Sequence, residues 1–434
     1  MSYSLVDIDV AADLPSLSLG ASETGLAVLV RRNGRPIAFW MEALPPETTL
    51  SPGDVAVRIA AHAAHHLLRE RIRDDLVPAA EPLRTTSVTA AICTRDRPEN
   101  VVRCLESLES AAAAASDHLP ELEILVVDNA PSDARTRDLV ASKPDVRYVC
   151  EPRAGLNVAR NLALREATGE LIAFVDDDVV VDRCWLSGLI QACAENPDAA
   201  AFTGLVLPYQ LETDAQIMFE LHGGFRRGFD RIRYQGPQLP GNPLYPAGAG
   251  IFGAGANMAF RRDALFGLGG FDEALDTGAP LPGGGDLDMF YRVVRARFPL
   301  VYEPRYLAFH QHRRDLAGLR RQYWSWGLGL MAFVSKSYRT DLEERAKLRK
   351  LVVWWFRYQG KQLLQSLFGS HPLTWDMVAA EIWGGLRGLF GEYARSQARM
   401  ARMPASMASE STSSTPAMGR SEPHPHLLTD DSLL

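Results

Sequence analysis

Residues 170–178 read Glu-Leu-Ile-Ala-Phe-Val-Asp-Asp-Asp, a short apolar strand that ends in three consecutive carboxylates. Three negative charges at one strand end repel one another and raise their own pKa values unless a cation neutralises them. A bound divalent metal is the economical explanation. Mg²⁺ or Mn²⁺ takes oxygen ligands and keeps open positions that diphosphate oxygens can fill. Taken alone, Asp176, Asp177 and Asp178 could equally be an acidic strand end in a solvated turn, so the surrounding pattern has to decide.

Working outward, the apolar runs at 87–93 (SVTAAIC), 122–128 (LEILVVD), 146–150 (VRYVC) and 170–176 (ELIAFVD) are successive strand candidates, and 101–114 and 155–167 are helices between them. That alternation builds an α/β fold with a mainly parallel sheet flanked by helices. Polar residues that follow such strands lie at the sheet's carboxyl edge, where open α/β folds bind ligands. The loop after the first strand, Thr94-Arg95-Asp96-Arg97-Pro98, offers hydroxyl, carboxylate and guanidinium groups to a nucleotide. The second strand ends at Asp128, which can accept from a nucleobase N–H or a ribose hydroxyl.

The order and spacing of CTRDRPENVVRCLESL, VVDNAPSD and RAGLNVARNLALREATGELIAFVDDD resemble the large family-two inverting glycosyltransferases of GT-A fold, nucleotide-diphospho-sugar transferases. The resemblance implies Asp128 as a base contact and places Ala159-Arg160-Asn161 on the helix before the metal strand. It implies ribose and metal contacts for Asp176 and Asp178, with Asp177 between them, and donor contacts for Thr94, Arg95, Asp96, Arg160 and Asn161. Inverting transfer needs a carboxylate to deprotonate the acceptor hydroxyl as it attacks the anomeric carbon. The candidate is Asp286 in Gly283-Gly284-Gly285-Asp286-Leu287-Asp288-Met289. In the family a Glu usually precedes that Asp; here Gly285 stands there, which puts one acceptor contact in doubt. Asp288 is the competing carboxylate, two residues on and so on another helix face, and helix capping is the other role open to Asp286.

The glycine-rich segment 248–258, with Gly255, Ala256 and Asn257, lets backbone approach a sugar closely. It lacks the following helix of a dinucleotide fingerprint. In the family this station lines the sugar and acceptor pocket. A strand read at 300–302 leads to His310 and His312, and a His after this strand commonly completes the metal site in related enzymes; His310 is preferred. Arg320-Arg321-Gln322-Tyr323-Trp324 partly matches the acceptor motif of processive relatives, so Trp324 joins the pocket. The membrane spans of those relatives are not found here, which favours single-addition, hexosyltransferase-type chemistry.

Four regions follow: a small α+β N-terminal appendage (1–84) with strands meeting across Asn33-Gly34 and a helix at 55–72, the GT-A domain (85–315), an aromatic-rich helical region (316–402) and a Ser/Pro-rich disordered tail (403–434). His62, His65 and His66 lie on the appendage helix, where surface or packing roles are expected. The five cysteines are odd in number and scattered, and read as reduced.

Net charge is −7, against a general nucleic-acid binder. Between Arg292 and Arg357, however, fifteen Lys or Arg face five Asp or Glu, a local excess suited either to phosphates or anionic lipid or to a solvated helical face. No basic segment followed by an apolar run opens the sequence and no span is long enough to cross a bilayer, so the expectation is a cytoplasmic protein in peripheral contact with the inner membrane face. Its expected partners are a nucleotide-diphosphate sugar donor and a glycan or lipid-linked acceptor, in cell-envelope, polysaccharide or glycolipid synthesis. Two other classes remain open: a non-catalytic nucleotide-sugar or glycan-binding module, which would keep Asp128 and Asp178 without needing Asp286, and a Mg-dependent phosphotransferase. The latter places its key Asp pair after the first strand, not the fourth.

Overall fold

A computed structural model describes residues 1–76, 86–115, 122–278 and 281–403. All but Met403 of the expected tail, 404–434, lies outside the described residues. Residues 1–403 form one unit.

The chain opens with β1 (Tyr3–Asp9), β2 (Leu17–Ser18), β3 (Gly25–Arg32), β4 (Arg35–Ala43) and β5 (Thr49–Leu50), followed by α1 (Pro52–Leu76). β3 and β4 pair antiparallel across the Asn33-Gly34 turn, where both residues take the positive φ that favours Asn and Gly. β1 adds to β3 in parallel. α1, longer at both ends than the sequence pattern predicts, packs on this sheet through Val55, Ile59 and Ala63. His62 stacks on Trp40 with ring centroids 4.7 Å apart.

Next come β6 (Val88–Thr94), α2 (Pro98–Ala114), β7 (Leu122–Asn129), α3 (Arg135–Val140), β8 (Val146–Glu151), α4 (Leu156–Glu166), β9 (Leu171–Asp176) and β10 (Val179–Val181). Then follow α5 (Trp185–Glu195), β11 (Ala201–Pro208), α6 (Asp214–Leu221), β12 (Ile232–Tyr234), β13 (Asn257–Arg261), α7 (Arg262–Gly267), α8 (Gly285–Arg295) and β14 (Leu300–His310). These strands make one sheet in the order β10-β14-β11-β13-β9-β6-β7-β8, with β12 on β14. β9, β6, β7 and β8 run parallel, and β13 enters antiparallel between β9 and β11. Because β6, β7 and β9 are nearly fully apolar they are buried on both faces, unlike the edge strand β8, one core containing Phe174, Met258 and Phe290 and another Ile92, Val126 and Trp185. The parallel register sets Thr94 beside Asp128 and Cys93 beside Asp176, so the polar strand ends gather on one edge.

One expectation is corrected: the strand read at 300–302 continues to His310, eleven residues in all. Its partners explain the length. β14 lies between β11 and β10, and its register with β11 shifts at Gly204/Leu205, letting Glu303-Pro304-Arg305 pass without ending the strand.

α9 (Leu316–Thr340), α10 (Arg345–Leu367), α11 (Trp375–Arg387) and α12 (Tyr393–Met400) complete the described chain. α9 and α11 approach closely because small residues face each other: a Cβ on Gly327 would meet the Glu381 carbonyl oxygen at 2.0 Å, and one on Gly384 the Trp324 carbonyl oxygen at 2.0 Å. Among the described residues no helix is long and apolar enough to cross a membrane. The five cysteines are free.

Candidate active site

Two adjoining cavities open at the carboxyl edge of the sheet. The smaller, of about 380 Å³, is lined by Thr94, Arg95, Arg97, Asn129 and all three residues of the acidic triplet. The larger, of about 910 Å³, holds Gly253 to Ala256, Asp286, His310, Trp324 and Trp326. They share Leu156, Asp176 and Arg313, so Asp176 stands at the junction.

Each carboxylate of the triplet has a different environment. Asp176 is pushed up to about 7, mainly by burial, with the Arg160 guanidinium 3.7 Å away opposing. Asp177 is raised by burial and by Asp178, although Thr94 Oγ1 donates to it at 2.8 Å and Arg97 at 3.0 Å. Burial works to raise Asp178 as well, yet His310 Nε2 at 3.3 Å, with Arg313 and Arg97 each at 3.7 Å, holds it below the usual carboxylate range. Among the described residues no three His, Cys, Asp or Glu side chains gather closely enough to hold an ion; of the expected metal ligands, Asp178 and His310 lie together at 3.3 Å.

His310 belongs to a buried chain of groups. Its Nδ1 meets His312 Nδ1 at 2.9 Å, and His312 Nε2 meets Glu220 Oε1 at 2.8 Å. Two residues apart on β14 and just beyond it, the imidazoles thus take different places: His310 faces Asp178, and His312 is held between His310 and α6.

Asp286 is the second residue of α8. Its Oδ2 accepts from the Gly255 amide at 3.1 Å and its Oδ1 from the Leu287 amide at 2.8 Å. Part of the capping role is present, since the Leu287 amide belongs to the first turn of α8, but Gly284 is the cap residue and Asp276 Oδ2 accepts from the Gly285 amide at 2.9 Å. Asp286 is left on the cavity wall. Asp288, 1% exposed, is turned away into pairs with Arg292 at 2.8 Å and Lys336 at 2.6 Å. The missing Glu has a steric reason, since a Cβ at Gly285 would lie 2.3 Å from both Asn157 Nδ2 and Asp276 Oδ2.

Several expected residues sit apart from the cavities. Asp128 is fully buried beneath the smaller one; Tyr148 donates to its Oδ2 at 3.0 Å, its Oδ1 has no partner, and burial raises its carboxyl. Asp96 turns to the Ser132 amide and hydroxyl. Asn161 is occupied by the backbone of Phe271. Asn257 lies inside β13, accepting from Trp185 Nε1 and donating to the Tyr306 carbonyl, so the sugar-facing role expected of it has no access to the cavity. Gly285 is buried against Asn157 and Asp276, whereas Gly255, Ala256 and Trp324 do line the larger cavity.

The sequence reading passed over Asp276 and Arg313, and named Arg97 only as part of its loop. Asp276, pushed up to about 6 by burial and by Asp286, shares Arg160 with Asp176. Arg97, not Arg95, reaches the triplet; Arg95 lies 3.7 Å from its neighbour Asp96. Arg313 approaches it from beyond β14. Arg97 stood in the quoted loop, but nothing in the spacing distinguished it from Arg95.

Part of the chain matches known proteins. Residues 89–266 match the model of glycosyl transferase family 2. The chain is 26% identical over 287 residues to a pre-mycofactocin glycosyltransferase of Mycobacterium tuberculosis, covering 65% of this chain and 55% of that protein. It is 29% identical over 228 residues to the succinoglycan biosynthesis protein ExoM of Rhizobium meliloti, covering 51% and 66%. The matched stretches thus span between about half and two thirds of these relatives. A mannosyltransferase from Pyrobaculum calidifontis, solved with GDP-Man and Mn²⁺, aligns over 77% of this chain and 98% of its own at a TM-score of 0.47 and 17% identity.

Proposed function

We propose that the chain, whose residues 89–266 match the model of glycosyl transferase family 2, moves a sugar, with inversion, from a nucleotide-diphosphate carrier to a hydroxyl of a glycan or lipid-linked acceptor. The observation that carries this reading is the pair of cavities joined at Asp176, with the triplet in one and Asp286 in the other. The smaller takes the nucleotide. Thr94 and Arg97 stand beside the phosphates, and Asp128 Oδ1, buried beneath the cavity without a partner, reaches a base or ribose donor only if the loops over it open. The larger takes the sugar and the acceptor, whose rings can lie on Trp324 and Trp326.

Three guanidiniums, Arg97, Arg160 and Arg313, balance the three carboxylates of the triplet. Arg97 and Arg313 are 48% and 42% exposed, long side chains free to turn toward an arriving diphosphate. The triplet would then need a replacement cation. Asp178 and His310 already lie together; with Asp176 turned toward them they would supply oxygen and imidazole donors for Mg²⁺ or Mn²⁺, whose chemistry there would be to neutralise the departing diphosphate. Asp286, oriented by the Gly255 and Leu287 amides, takes the proton of the acceptor hydroxyl as it attacks.

The test is Asp286→Asn against a panel of nucleotide sugars with Mn²⁺ or Mg²⁺. Donor binding by calorimetry should persist while turnover falls by about 10²- to 10⁴-fold, and chelation should abolish what remains. Product anomeric configuration by NMR reports inversion. Undiminished turnover in Asp286→Asn would overturn the assignment of the base.

A further inference from the structure

The segment 345–368 contains six Lys or Arg and no Asp or Glu, interleaved with Leu, Val, Trp, Tyr and Phe. It is α10 with its capping residue. Leu348, Leu351, Trp355, Gln359 and Gln362 are buried toward the rest of the molecule. At 100° per residue these occupy roughly a quarter of the helix circumference, and the opposite arc is exposed. That outer arc carries Arg349, Lys350, Arg357 and Lys361 between Val353, Trp354, Tyr358, Leu364, Leu367 and Phe368. Trp354 is 49% exposed, Leu364 and Leu367 59%, and Phe368 83%.

A solvated helical face has little reason to expose so much apolar surface, and a charged face on a soluble helix normally alternates signs. Among the described residues none of these four cations is in an ion pair, whereas Lys347, nearer the base of the helix, pairs with Glu344. Trp354 and Tyr358 stack on each other in the open, 5.3 Å between centroids. Aromatic rings with a wet edge, aliphatic tips and unpaired cations on one arc are the chemistry that a bilayer interface satisfies at the headgroup and acyl levels together.

We propose that the outer face of α10 docks the protein on an anionic lipid surface, lying in the interface plane. The helix is coupled to the site: its inner face packs against α9 and α11, and Trp324 and Trp326 of α9 and Glu381 of α11 line the larger cavity. Docking through α10 therefore holds that cavity at a fixed attitude to the membrane. This rests on surface chemistry and would stand even if the catalytic reading failed.

The experiment is flotation of the full chain with phosphatidylcholine vesicles, with and without phosphatidylglycerol. Wild type should float with the anionic vesicles, stay behind with the neutral ones, and be released by added salt. Replacing Arg349, Lys350, Arg357 and Lys361 by Gln should cut partitioning roughly tenfold or more, and Trp354→Ser with Phe368→Ser should do the same at low salt. Circular dichroism melts confirm that both sets fold, since every position is exposed. Equal partitioning of wild type on neutral and anionic vesicles, or of the Gln variant and wild type, overturns the proposal. So does a wild-type dimer in sedimentation equilibrium that the Ser pair dissociates, which would make the face a contact between two copies.

Discussion

Glu381 lies on α11 at the edge of the larger cavity, and burial pushes its carboxyl up to about 7, with Gln359 opposing. The folded chain therefore keeps a proton that the unfolded chain releases near the ordinary value of about 4.5. Its contribution to stability is complete below that ordinary value and is lost as pH rises through about 7, where the folded state must bear a buried negative charge. Glu381→Gln keeps the shape and removes the titration. The melting temperature of wild type should fall more steeply between about pH 5 and pH 8 than that of the variant, which gains on the order of 2 kcal/mol at the upper end. Asp176 and Asp276 titrate in both proteins, so the difference isolates Glu381; parallel curves would refute it. At this scale the sequence was legible where a residue type is rare in its setting: three carboxylates closing an apolar strand, or an Asp after three glycines. It was silent on Asp276 and Glu381, single acids in ordinary surroundings whose character comes from burial among elements far apart in sequence, with Arg160 and Gln359 opposing the shift.

Among the elements, the contact of α9 with α11 shows what small residues can do that a periodicity cannot announce. Gly327, Gly384 and Gly388 remove side chains where the helices meet, and a Cβ on Gly388 would lie 2.5 Å from the Leu328 carbonyl. Gly384→Ala must push the helices apart, at about 1–3 kcal/mol. Because the carbonyl it strikes belongs to Trp324, a cavity residue, acceptor KM should rise with the loss of stability. A variant that melts like wild type would show that the pair can separate freely. α8 behaves in the same way at its start: Gly284 has φ of 94° and its Cβ would meet the Gly329 carbonyl oxygen at 2.6 Å. Gly285 was read as a departure from a family pattern; crowding by Asn157 and Asp276 gives the reason for it, as packing against α9 does for Gly284. Helices and parallel strands were visible from their apolar periods, but β14 was cut short, because its continuation through Glu303-Pro304-Arg305 depends on partners far away in sequence.

At the scale of the whole molecule, the N-terminal sheet shares the main core through Tyr3, Ala27, Leu29 and Phe39 and meets the carboxyl edge of the central sheet through a buried ion pair. Arg31, 3% exposed on β3, donates to Asp182 Oδ2 at 2.6 Å and Oδ1 at 3.2 Å, and its Nε to Asp7 at 2.8 Å. Asp182 follows β10, the short strand that leaves the triplet, and its Oδ1 also accepts from the Cys184 amide at 2.9 Å. The partners are 151 residues apart, so no local pattern joins them, and the appendage could be read from sequence as a fold but not as a clamp. Removing one partner of such a pair strands a buried charge, at about 3–5 kcal/mol, whereas removing both can be nearly neutral. Arg31→Met should therefore destabilise by roughly that amount in urea titration, and Arg31→Met with Asp182→Leu should recover much of it. The same single variant should weaken Mn²⁺ binding by calorimetry, because β10 carries the strain back to Asp178. If Arg31→Met unfolds at the wild-type midpoint, the appendage is a passenger; if it unfolds early yet binds Mn²⁺ unchanged, the clamp serves stability and the triplet is held by the sheet alone.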